Sequence, residues 1–207
     1  ITPMPEITGI QRKEVFIMEM NTPKNKTVIA ILFGGCSTEY EVSLQSAYSV
    51  ITHLNQEKYE AHLIGITREG TWLCYEGDID RIPADTWASA DCLPAMLSPN
   101  RTDHGLLIAR TGGLELIRLD AVFPVLHGKN GDDGTVQGLC ELAGLPVAGC
   151  GMKASVLGMD KHLAHTLVSL DGNAVPTSVR FRRRPTEAAQ FSMTAHRPDP
   201  GFVKPVE

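Results

Sequence analysis

The run Val28-Ile-Ala-Ile-Leu-Phe33 is unbroken, apolar and rich in β-branched side chains, as expected of a strand covered on both faces. Gly34-Gly35 ends it, and a helical pattern over residues 39–54 follows, with Leu44, Ala47, Tyr48, Ile51 and Leu54 on one face. Thr38 and Glu41 have the Thr-x-x-Glu spacing of a capping box at its start. A second strand is expected over residues 59–66. Strand, glycine turn, helix and strand make a βαβ unit, whose crossover is almost always right-handed. This places the chain in the α/β class.

The next fifty residues are less regular. Turn signals stand at Gly77-Asp78, Ser98-Pro99-Asn100 and Gly112-Gly113, with a hairpin expected from strands at 105–109 and 114–117. A buried strand follows over 121–126, although Pro124 weakens it unless its missing N–H needs no partner. A helix over 136–143 closes on Gly144, a normal position for glycine after a helix. Residues 145–148 are short and extended. Beyond Gly151 the pattern changes: one helix over 153–170, a strand at 175–181, a helix at 186–195 and a strand at 202–206. The expected organisation is a tail over 1–24, an α/β domain over 25–150, and an incomplete second domain over 151–207 that stops inside a strand.

Composition excludes several classes. A formal charge of −5 over 207 residues is not the basic footprint of a nucleic-acid binder. The Arg180, Arg182, Arg183 and Arg184 cluster reads as a solvated strand edge. Five scattered cysteines without a Cys-x-x-Cys pair fit reduced cytoplasmic thiols better than a disulfide framework or a zinc site. Nothing approaches the roughly 20 apolar residues of a membrane span.

Three places could carry chemistry. In Gly34-Gly-Cys-Ser-Thr-Glu-Tyr-Glu41, Glu41 has the capping-box role, which leaves Glu39 free for a cation such as an ammonium group. A capped helix start is the plainer reading of that motif alone. The loop after residue 126 carries His127, which can donate or accept near neutrality, four glycines, and Asp132 and Asp133. The aspartates are expected to organise the loop. Single histidines are more often structural than functional. The third place is a lysine pair, Lys161 and Lys204, point charges suited to phosphates. His162 and His165 have a metal-pair spacing without a third ligand and read as surface residues. No Walker-type phosphate loop is present.

Taken in order, Phe33-Gly-Gly-Cys-Ser-Thr-Glu-Tyr-Glu-Val-Ser-Leu44, Leu126-His-Gly-Lys-Asn-Gly-Asp-Asp-Gly-Thr-Val-Gln-Gly138, Met159-Asp-Lys161 and Phe202-Val-Lys-Pro205 resemble the D-alanine–D-alanine ligase family over residues 26–207. The wording of the N-terminal half is most similar to the D-alanine–D-serine ligases of G-type vancomycin resistance. The resemblance implies a Rossmann-like pre-ATP-grasp domain followed by the beginning of an ATP-grasp domain. It implies a cytoplasmic, homodimeric enzyme that phosphorylates one D-alanine with ATP. The amino group of D-serine or a second D-alanine then attacks, giving a dipeptide for peptidoglycan precursors. By position, Glu39 would hold the first D-alanine's ammonium and His127 would lie by its carboxylate, with Lys161 and Lys204 on nucleotide phosphates.

The family continues after Lys-Pro with a glycine- and serine-rich loop, whereas this chain has Val206-Glu207, Glu207 standing where a basic or small residue is usual. The magnesium ligands, an oxyanion-stabilising arginine and the second-substrate segment are therefore expected beyond residue 207. Two readings follow: part of a ligase, inactive by itself, or a non-catalytic α/β unit that at most binds D-alanine or a partner subunit.

Overall fold

The computed structural model describes residues 26–89 and 91–176. Strand β1 (Thr27–Gly34) lies between β2 (Tyr59–Ile66) and β7 (Ala121–Pro124), parallel to both. The sheet continues beyond β2 through β3 (Trp72–Tyr75), β4 (Cys92–Leu97), β5 (Gly105–Arg110) and β6 (Gly113–Arg118), all antiparallel, in the order β6-β5-β4-β3-β2-β1-β7. The expected βαβ unit and hairpin are both present.

The apolar run of β1 is explained by what covers it. Ile29, Ile31 and Phe33 pack with Leu44 and Ala47 of helix α1 (Tyr40–Thr52). Ala30 and Leu32, pointing the other way, pack with Val136, Cys140 and Ala143 of α2 (Thr135–Ala143). Each large side chain buried there contributes roughly 1.5–3 kcal/mol. The α1 layer is completed by Trp87, fully buried and edge-on to Phe33 at 4.9 Å between ring centroids. Its ring lies against Gly65 of β2, where a Cβ would come within 2.2 Å of ring atoms. That close approach requires glycine.

Four expectations are corrected. The helix expected over 39–54 runs only from Tyr40 to Thr52. Strands β3 and β4 were not expected within the irregular stretch. β4 bonds to β3 through Cys92, Leu93 and Pro94, then to β5 through Ala95, Met96 and Leu97, so Pro94 stands where pairing changes sides. β7 ends at Pro124 rather than at residue 126, though the Val125 N–H still donates to the Leu32 carbonyl at 2.8 Å. β7 closes the sheet, and its Val122 is met in parallel by Val147.

The single helix expected over 153–170 is two helices, α3 (Met152–Met159) and α4 (Lys161–Leu170). Asp160 between them is extended (φ −77°, ψ 98°), and its carboxylate accepts from the N–H groups of His162 and Leu163 at 3.0 Å. An aspartate in that role starts a new helix rather than continuing the old one. The expected tail, the elements at 186–195 and 202–206, most of 175–181 and the arginine cluster lie outside the described residues.

Candidate functional site

Helix α1 is tied to the end of β7 by hydroxyls. Ser43 is fully buried; it accepts from the Gly34 N–H at 2.8 Å and donates to the Val125 carbonyl. A buried hydroxyl requires partners, and these two join the ends of β1 and β7. Ser37 donates to the His127 carbonyl at 2.7 Å and accepts from the Glu39 N–H at 3.1 Å. Ser46 Oγ lies 3.1 Å from His127 Nε2. His127 is thus held at its main chain by one serine and at its ring by another.

The expected capping box does not form. Glu39 occupies the N-cap position without a side-chain cap bond, and Glu41 turns to Arg68 instead. A charge-assisted bond to guanidinium outcompetes a neutral backbone N–H, and Arg68 holds the Glu41 carboxyl below its ordinary pKa. Arg68 also pairs with Asp85 at 2.7 Å and lies 3.9 Å above the Tyr40 ring centroid. Tyr40 OH donates to Asp85 and accepts from Trp87 Nε1, both at 3.1 Å. Burial, with Asp85 adding and the Trp87 bond opposing, pushes the Tyr40 phenol up to about 12. Glu39 is left exposed, with no side-chain partner among the described residues.

The loop after β7 brings Gly128, the residue after His127, to that carboxylate. Gly128 adopts φ +70°, and a Cβ there would stand 3.3 Å from Glu39 Oε1. The aspartates organise the loop: Asp132 accepts from the Gly128 N–H at 3.0 Å, and Asp133 from the N–H groups of Asn130 and Thr135 at 2.9 and 3.0 Å. Burial opposes ionisation of Asp133, but these donors outweigh it and hold the carboxyl below its ordinary range. Beside the loop is a mostly apolar cavity of ≈ 270 Å³, lined among others by Gly35, Cys36, Trp72, Leu126, His127 and Lys129.

The Glu39 carboxylate and the Gly128 backbone are therefore neighbours, and Ser37 bonds both the His127 carbonyl and the Glu39 N–H, but His127 lines the cavity and Glu39 does not. Lys161 does not line the cavity; it is exposed, its Nζ donating to the Gly158 carbonyl at 2.7 Å. Lys204 lies outside the described residues. His162 is exposed and His165 half-buried, and no group of three or more His, Cys, Asp or Glu among the described residues could hold a metal ion. Sequence reasoning passed over Ser43 and Ser46. Their signal was a polar residue set into the apolar stripe of α1 at Tyr40, Leu44 and Ala47, with a second hydroxyl three residues on.

The model of the D-ala D-ala ligase N-terminus matches residues 28–150, the stretch that contains Glu39, the serines and the His127 loop. The chain belongs to the D-alanine–D-alanine ligase family. It is 48% identical over 153 residues to the vancomycin B-type resistance protein VanB of Enterococcus faecalis, covering 73% of this chain and 43% of that protein. It is 47% identical over 148 residues to the D-alanine–D-alanine ligase of Caldicellulosiruptor bescii, covering 71% and 40%. The solved VanG D-Ala:D-Ser ligase of Enterococcus faecalis superposes with a TM-score of 0.73 at 49% identity, covering 87% of this chain and 52% of that one. The chain spans about half the length of the relatives it matches.

Proposed function

We propose that this chain is part of an ATP-dependent ligase joining D-alanine to a second D-amino acid, and that Glu39 and His127 bind the first D-alanine. An amino acid at neutral pH carries an ammonium and a carboxylate two bonds apart through its α-carbon. A receptor for it needs an anion and a hydrogen-bond donor converging on a small space. The observation that carries the reading is the approach of the Glu39 carboxylate, without a side-chain partner among the described residues, to Gly128 next to His127. Glu39 pairs with the ammonium, and His127 donates to the carboxylate that becomes phosphorylated.

ATP is the phosphoryl donor, with Lys161 and Lys204 assigned to its phosphates as point charges. Magnesium, when bound, neutralises charge on the transferring phosphate; no group of three or more His, Cys, Asp or Glu among the described residues could hold it. The second substrate is read as D-serine or another D-alanine, for each of which a similar relative is named; a relative 45% identical is named for D-lactate. The product serves peptidoglycan precursors. The working assembly is a cytoplasmic homodimer, with one unit over 25–150 and a second beginning at 151.

The test is titration of purified chain with D-alanine, followed by calorimetry, with L-alanine as control. Glu39→Gln is expected to weaken D-alanine by more than about tenfold, as loss of one partner of a charge pair does, while Glu41→Gln leaves it nearly unchanged. Equal effects of the two would overturn the ammonium role. The 207-residue chain alone is expected to bind without D-alanine-dependent phosphate release from ATP. In a ligase extended past residue 207, Glu39→Gln should raise the KM for D-alanine far more than that for ATP.

A further inference from the structure

We infer that Ser46 is the positioning residue of His127: its hydroxyl donates to Nε2 and holds the imidazole as the Nδ1–H tautomer. The contact is 3.1 Å, and among the described residues His127 Nε2 is the sole hydrogen-bond partner of Ser46 Oγ. A helical serine often gives its proton to the carbonyl four residues back. Thr52, at the far end of the same helix, does so to Tyr48 at 2.8 Å, but Ser46 does not. Its proton is therefore available to the ring.

The neighbouring hydroxyls behave alike. Ser37 donates to the His127 carbonyl and Ser43 to the Val125 carbonyl. Three serines thus reach from the α1 side onto Val125 and His127 at the end of β7, two of them certainly as donors because a carbonyl only accepts. Ser46 completes the row. A neutral imidazole that accepts at Nε2 carries its proton on Nδ1, and the partner of one ring nitrogen decides the state of the other. Among the described residues Nδ1 has no hydrogen-bond partner, so the donor it gains is left for a ligand. The choice of a carboxylate as that ligand rests on the D-alanine reading. The tautomer does not.

The tautomer is read by two-bond proton–nitrogen correlation on the ligand-free 207-residue chain carrying ¹⁵N-histidine, at a pH above imidazole titration. The His127 signals are assigned by their loss in His127→Gln. Nδ1–H is expected to predominate in the unmodified protein. Ser46→Ala should lower the Nδ1–H to Nε2–H ratio about fivefold, the factor one neutral hydrogen bond carries, and Ser46→Thr should restore it. A role confined to packing would leave the ratio unmoved in Ser46→Ala. Predominance of Nε2–H in the unmodified protein overturns the inference without any variant, as does an unchanged ratio in a folded Ser46→Ala protein. If the tautomer is as expected but D-alanine does not perturb the Nδ1 signal, the D-alanine reading fails and the role of Ser46 stands.

Discussion

Two glutamates two positions apart at the start of α1 have opposite fates, and the difference is one arginine. Glu41 is consumed by Arg68, whereas Glu39 lies by the Gly128 turn with no side-chain partner among the described residues. Sequence spacing assigned Glu41 to the backbone because Arg68 is distant along the chain; only the sheet brings them together. The conclusion that Glu39 is the free acid was legible, but for a different reason. His62 shows the same limit. Its Nε2 is buried without a hydrogen bond, 3.6 Å from Glu60. Burial pushes its pKa down, outweighing the upward pull of Glu60, Glu115 and Glu76. The neutral ring is thus favoured on folding, so its contribution to stability is present above the unfolded pKa of about 6.5. It is lost as pH falls through the lower folded value. Thermal unfolding followed from pH 7.5 to 5 should show a midpoint that declines below about 6.5, and His62→Gln should flatten that decline. The carboxylates Glu41 and Asp133, whose pKa values are also depressed, begin to weaken the fold only at more acid pH. An identical decline in His62→Gln would assign the loss to other groups.

At the scale of elements, periodicity recovered β1, β2, α1, α2 and the β5–β6 hairpin, because each has a long enough run or a clear enough glycine stop. It failed where a tertiary contact decides. β3 has four residues, and β4 changes partner at Pro94, so neither carries a readable alternation. The break at Asp160 was hidden because apolar spacing continues across it. Asp160→Ala removes the acceptor for the His162 and Leu163 N–H groups and should cost about 1 kcal/mol, seen as faster exchange of those two amides with β1 unaffected. Uniform acceleration of all amides would mean that α4 opens only with the whole molecule. Gly65 belongs to this scale too, since its missing side chain is the seat of Trp87. Gly65→Ala should destabilise by about 1–3 kcal/mol, the usual cost of overpacking, in urea denaturation followed by tryptophan fluorescence. A midpoint unchanged from wild type would show that the ring can withdraw without loss.

Across the described residues cohesion is uneven, and it falls off in the helices after Gly151. Both layers over β1 are closed by large buried side chains from strands far apart in sequence. By contrast α3 buries only Ser155, and α4 buries no residue, while Leu163, Leu167, Val168 and Leu170 are exposed. Apolar side chains recur along that stretch at helical spacing, which gives it an apolar face. The described residues provide little for it to pack against, and a periodic face cannot tell whether its partner is local, distant or another chain. Opening free energy follows buried apolar contact, ranging from near zero up to the global value. Amides of α3 and α4 should therefore exchange about a hundredfold or more faster than those of β1 and α1, measured by mass spectrometry on native protein. Limited proteolysis should cut after Gly151 before it cuts within 28–150. Protection of α4 equal to that of β1 would sink the idea and would require a cover over the exposed leucines. Repeating the exchange over a range of protein concentrations identifies that cover: protection that grows with concentration comes from a second copy, and protection that does not comes from within the chain.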